Sequence, residues 1–163
     1  MTLDEFFCIG VTMDLGSHRF EADEIKAFAR KYDPQPFHVD EEAARKSVFG
    51  ALCASGWHTA AMWMRHNLAT PLVREDRRWT GPGPVPEFGP SPGFRNLKWP
   101  KPVFAGETVA FTRRSLAHRQ VASRPGWRLL TLASEAFDSK GDKVLEFESA
   151  VLVKTDDRPA MPG

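Results

Sequence analysis

Ser55-Gly56-Trp57-His58-Thr59-Ala60-Ala61-Met62-Trp63-Met64-Arg65-His66-Asn67-Leu68 reads as a helix with one formally charged side chain, Arg65. Its apolar residues fall on nearly every side, which implies burial on most sides rather than one. A chain of 163 residues that buries such a helix needs other elements wrapped around it.

The wrapping is found downstream, where the hydrophobic period changes to two. Thr108 to Arg114, Trp127 to Phe137 and Val144 to Val153 alternate as half-buried strands. Asp138-Ser139-Lys140-Gly141-Asp142 is a turn and makes the last two a hairpin. Arg95 to Trp99 is a shorter strand, closed by Pro100 and Pro102. Antiparallel strands with one face to cover, beside one helix to enclose, predict an α+β fold with a sheet curled around residues 54–68. Between helix and strands, residues 70–93 are rich in Gly and Pro and form an excursion, readable as a lid or as a mobile connection.

Upstream, residues 6–20 read as a strand and turn, with Phe6, Phe7, Ile9 and Val11 ahead of Gly16. Phe20 to Ala29 reads as a helix, with Ile25, Phe28, Ala29 and Tyr32 at helical spacing and acids in the first turn. Pro34 stops it near Tyr32. A short helix, Asp40 to Lys46, follows with Asp40 as its N-cap. Residues 155–163 form a polar tail expected to fray.

Between those two helices lies Tyr32-Asp33-Pro34-Gln35-Pro36-Phe37-His38-Val39-Asp40, a segment that two prolines bar from regular helix or central strand. Asp33 and His38 therefore sit on a stiffened loop. Two readings are open. In one, Asp33 ends a helix and His38 is a satisfied loop histidine. In the other, carboxylate and imidazole together polarise one water or one substrate proton. Ser55-Gly56 has two readings as well. It is either a Ser cap with a Gly tolerated for close packing, or a helix N-terminus whose free N–H groups can face a developing oxyanion.

Charge and cysteines exclude other classes. With 22 basic and 21 acidic residues the net charge is +1, which makes no case for nucleic acid. Two cysteines, Cys8 and Cys53, are too few for a disulfide framework or a zinc site and read as reduced thiols. His58 and His66 are too far apart for one metal ion, so no metal is expected. No apolar run reaches membrane-spanning length, and residues 1–7 lack the order of a signal peptide. One cytoplasmic domain over 1–163 is the expectation.

The central residues resemble the MaoC-like dehydratase and R-specific enoyl-CoA hydratase family. That family's pattern reads here as Asp33, Gln35-Pro36, His38, Asp40, Phe49-Gly50 and Ser55-Gly56, and then Pro102-Val103-Phe104-Ala105-Gly106-Glu107. Gln35 stands where many members carry Asn, and Ser55 where many carry His. The resemblance covers about Phe20 to Val153 and implies the hotdog fold, an antiparallel sheet wrapped around a long central helix. It implies a hydro-lyase acting on a trans-2-enoyl or R-3-hydroxyacyl thioester, with a CoA ester as substrate partner and no cofactor. Asp33, His38 and Gly56 become the expected catalytic residues, with Ser55 and Trp57 at the substrate site; for Trp57, on a helix expected to be buried, a place in the core is the other reading. A homodimer or higher homo-oligomer joined edge to edge is implied too. Arg113, Arg114 and Arg119 either meet coenzyme A phosphates or are solvated strand charge. An acyl-CoA thioesterase on the same fold, or a non-catalytic acyl-binding subunit, are the alternatives. The thioesterase is disfavoured because residues 54–68 contain no Asp or Glu.

Overall fold

The computed structural model describes residues 1–156. A six-stranded antiparallel sheet runs in the order β1-β4-β5-β6-β2, and β3 also pairs with β6. The strands are β1 (Thr12–Arg19), β2 (Glu87–Phe88), β3 (Gly93–Lys98), β4 (Thr108–Gln120), β5 (Trp127–Phe137) and β6 (Lys143–Lys154). The helices are α1 (Leu3–Phe6), α2 (Ala22–Tyr32), α3 (Pro36–Val39), α4 (Glu41–Arg45) and α5 (Gly56–Ala69). Helix α5 lies against β1, β4 and β6, so the sheet curls around it. This is the α+β arrangement expected from the strand and helix order, and it is the hotdog fold that the resemblance implied.

Alternation along β4 explains the curl's inner face. Val109, Phe111, Arg113 and Ser115 are buried, and Leu130, Leu132, Ser134 and Ala136 of β5 continue the same face. One core forms beneath α5 and α2 from Leu15, Phe20, Ile25, Trp63, Val109, Phe111 and Leu145, among others. A second core, from Phe6, Phe7, Leu130, Leu132, Val151 and Val153, fills the rest of that face.

The second core corrects the reading of residues 6–20 as a strand from Phe6 onward. The capping box of Thr2 and Glu5 starts a helical turn at Leu3–Phe6, and the strand begins only at Thr12. Leu72, Val73, Trp79 and Phe88 of the Gly/Pro-rich excursion pack on the same core, so that segment is anchored at several points.

Helix α5 departs from expectation. It buries His58, Thr59 and Trp63, yet Trp57, Met64 and Leu68 are 51%, 47% and 78% exposed. The sheet covers one side only, and the apolar residues of the other side face outward.

Arg113 is neither solvated nor available to a phosphate. It is 2% exposed, and its guanidinium donates to Asn67 Oδ1 at 2.5 Å and the Pro71 carbonyl at 2.8 Å. It thus ties β4 to the last turn of α5 through the Asn67 side chain and to the segment after it through Pro71. In the tail, Thr155 is buried and its N–H donates to the Gly126 carbonyl at 2.9 Å, so it does not fray. The rest of the expected frayed segment, 157–163, lies outside the described residues.

Candidate active site

Helix α2 ends at Tyr32, and Asp33 is its C-cap, its N–H bonded to the Ala29 carbonyl at 2.8 Å. After Pro34 the chain does form one helical turn, α3, which corrects the expectation of no regular helix in this segment. Pro36 opens that turn, where a missing N–H leaves no bond unmade. The turn carries His38 inward to 6% exposure. Asp40 caps α4 as expected, accepting from the N–H groups of Glu42 and Ala43.

His38 Nδ1 is 2.6 Å from the carbonyl oxygen of Cys53. A carbonyl only accepts, so Nδ1 carries the proton and Nε2 is left to face the Asp33 carboxylate, 3.5 Å from Oδ2. That separation is long for a direct hydrogen bond and suits one shared water or substrate hydroxyl.

Both oxygens of Asp33 are held. Ser55 Oγ donates to Oδ2 at 2.7 Å, and Gln35 Nε2 donates to Oδ1 at 2.7 Å. Burial works to raise the Asp33 pKa, but these two bonds and nearby His38 outweigh it and leave the carboxyl below its ordinary value. Asp33 is therefore an anchored carboxylate at neutral pH.

Ser55 does two tasks. Besides holding Asp33, its Oγ accepts from the Trp57 N–H at 3.3 Å and so caps α5. It is fully buried and does not line the cleft, which corrects its expected place among substrate contacts: its hydroxyl is committed to Asp33 and the helix. Gly56 opens α5, so its N–H is one of those a helix leaves without an internal acceptor. The close-packing reading of Gly56 holds as well. A Cβ there would lie 2.4 Å from ring atoms of Trp99, so only glycine lets that indole settle.

Asp33, His38, Gly56 and Trp57 line one cleft of about 500 Å³, together with Gln35, Phe37, Phe49, Trp99, Val103 and others. Trp57 meets Trp99 edge to face at 5.0 Å on its wall. Pairing of the Cys53 segment with residues 103–105 closes the floor: Ala54 N–H donates to Val103 and Ala105 N–H to Leu52. Cys53 itself is 1% exposed, and burial pushes its thiol up to about 11, so it stays protonated and no nucleophile. Among the described residues no cluster of His, Cys, Asp and Glu is arranged to hold a metal ion.

Three contributors went unread in the sequence: the Gln35 side chain, the Cys53 carbonyl and Trp99. Gln35, two residues from Asp33, had a local signal in that spacing. Trp99 had only its place before Pro100.

A second polar cluster lies behind α5, apart from the cleft. His58 Nε2 and His18 Nε2 both bond Glu24 Oε1, at 3.0 and 2.7 Å. His58 stacks on Phe28 at 4.5 Å, and its Nδ1 is buried with no partner. Desolvation lowers the His58 pKa, and the bond to Glu24 only partly opposes it. The unfolded chain then takes up that proton more readily than the fold does. Stability contributed by neutral His58 is present above the ordinary histidine value of about 6.5 and is lost as pH falls below it. Urea unfolding between about pH 5.5 and 7.5, one unit either side of that value, is expected to show a steeper acid loss for wild type than for His58→Phe. Identical slopes would contradict this.

A family model described as a MaoC like domain matches residues 9–125. An uncharacterized protein, YdeM, of Bacillus subtilis (strain 168) is 30% identical over 154 residues, covering 94% of this chain and 99% of that one. The crystal structure of the MaoC-like dehydratase from Rhodospirillum rubrum superposes with a TM-score of 0.75 at 37% identity, covering 94% of each chain. The (R)-hydratase from A. caviae involved in PHA biosynthesis superposes with a TM-score of 0.64 at 26% identity, covering 88% of this chain and 94% of that one.

Proposed function

The chain belongs to the MaoC-like domain family, and from that premise we propose that it is a hydro-lyase acting on a trans-2-enoyl or R-3-hydroxyacyl thioester, with a CoA ester as substrate. The observation that carries this reading is the pairing of His38 Nε2 with an anchored Asp33 carboxylate, 3.5 Å apart on the wall of a cleft. In the direction of hydration, both groups accept hydrogen bonds from one water. His38 Nε2 takes its proton as the water oxygen bonds the β-carbon, and the imidazolium so formed returns that proton to the α-carbon. Water is thus added whole, with no net change in the protein. Electron density moving into the thioester gathers on its oxygen, where the Gly56 N–H stabilises it; one such donor is worth about 3 kcal/mol of barrier. Asp33 orients the water, and Ser55 and Gln35 keep Asp33 ionised and aimed.

The cleft disfavours the thioesterase alternative. Helix α5 itself carries no Asp or Glu, and Glu24, which bonds His58 of α5 as well as His18, does not line the cleft. A panel of enoyl-CoA, 3-hydroxyacyl-CoA and saturated acyl-CoA thioesters, read by mass spectrometry, tests the assignment. Gain or loss of water supports it, release of free thiol supports a thioesterase, and binding without change supports a non-catalytic subunit.

Self-association is part of the same reading. Among the described residues β3 pairs only with β6, Phe94 is 61% exposed, and Met64 and Leu68 face outward from α5. A second copy meeting this edge across a two-fold axis would cover them. Light scattering is expected to give a mass of at least two chains, and Leu68→Glu is expected to shift it toward one. A monomeric wild type would contradict this.

A further inference from the structure

Resting on that reading of the cleft, we propose that Trp99 is the residue that selects acyl groups by width, admitting unbranched enoyl chains and turning away those with a methyl on the α-carbon. The indole is fixed where the reacting carbons must pass. Its ring-fusion atoms, Cδ2 and Cε2, lie 2.4 Å from the position a Cβ on Gly56 would take, so the ring rests directly on the Gly56 Cα. A thioester oxygen at the Gly56 N–H puts the carbonyl carbon beside the same residue, and the α-carbon is the next atom along. His38 and Asp33, both held by hydrogen bonds, line the same cleft as the indole. An α-carbon held between the Gly56 N–H and this pair passes beside the Trp99 ring.

The indole is 39% exposed, and it is braced by a neighbouring ring and by the segment that follows it. Trp57 packs against it edge to face at 5.0 Å. Pro100 and Pro102 stiffen the segment that follows. Between them, Lys101 Nζ bonds Asp138 Oδ2 at 2.8 Å and Asp142 Oδ2 at 2.9 Å, tying the segment to the β5–β6 turn. Past Pro102, Val103 accepts from Ala54 just ahead of α5. A wall braced in this way discriminates by shape, because an extra methyl in a packed site forces strain. One methyl group is worth about 10- to 200-fold in selectivity where a pocket is rigid.

The test compares kcat/KM for crotonyl-CoA and α-methyl crotonyl-CoA. Wild type is expected to favour the unbranched substrate by at least about 10-fold. Trp99→Ala is expected to shrink that ratio by at least about 10-fold, with Trp99→Phe in between. Circular dichroism checks that each variant is folded; should Trp99→Ala fail, Trp99→Phe and Trp99→Leu carry the comparison. A ratio that stays constant in a folded variant, or wild type that treats both substrates alike, overturns the assignment of Trp99. Wild type that hydrates neither substrate overturns instead the hydro-lyase reading on which it rests.

Discussion

Asp33→Asn and His38→Ala are each expected to lower the rate of enoyl-CoA hydration by at least about 100-fold while leaving a folded protein. The two losses have different causes. In the proposed reaction His38→Ala removes the Nε2 lone pair that takes the water's proton, and the Cys53 thiol, held protonated by burial, does not replace it. Asp33→Asn keeps the shape and most of the hydrogen bonding, because an amide oxygen can still accept from Gln35 or Ser55. What it removes is the negative charge that those bonds stabilise and one acceptor for the water. Folding should survive both changes. Neither side chain belongs to an apolar core, and the backbone N–H of Asp33 that caps α2 is unaffected. Because the two residues grip one water, the double variant should be scarcely slower than the worse single one. A steady-state assay on purified variants decides this; near wild-type rates in either would remove the dyad from the mechanism.

The largest effect on stability is expected at Trp63. It is 3% exposed, packs edge to face on Phe147 at 4.7 Å, and donates from Nε1 to the Thr112 carbonyl at 3.1 Å. It is the side chain that bolts α5 to both β4 and β6. Trp63→Ala opens a cavity and leaves the Thr112 carbonyl without that donor, at a cost of about 3–5 kcal/mol. For a chain of this length that corresponds to a fall in melting temperature of about 10 °C. Val48→Ala is the comparison, since Val48 is 92% exposed and its loss should stay within about 0.5 kcal/mol. Thermal melts of the two variants side by side provide the check, and a small shift for Trp63→Ala would mean that α5 is held by something else.

Much of this fold was legible because its strands have one buried face. Period-two alternation in β4, β5 and β6, and the turn at 138–142, could be read directly. What could not be read was which apolar residues face outward. Met64 and Leu68 look like core in a helix pattern, and only the position of the sheet leaves them uncovered. Arg113 misled for the opposite reason: a charge on a strand reads as solvent-facing, yet the C-terminal end of α5 supplies buried acceptors for it. At the site, Asp33 and His38 are close in sequence and their spacing carried the signal. Ser55 was visible as a helix cap but not as the donor to Asp33, because that bond spans 22 residues. Trp99 over Gly56 is likewise a contact between distant segments. Local pattern reports what the backbone does, whereas these contacts depend on how the sheet closes on the helix.

The central claim is that Asp33 and His38 direct water to the β-carbon of an enoyl thioester and leave the thioester intact. Crotonyl-CoA incubated with wild-type protein in water labelled with heavy oxygen, followed by mass spectrometry of the products, tests this most directly. The expected result is one heavy oxygen on the β-carbon of R-3-hydroxybutyryl-CoA, greatly reduced with His38→Ala. Heavy oxygen in a free carboxylate with release of coenzyme A, or no incorporation at all, would contradict it.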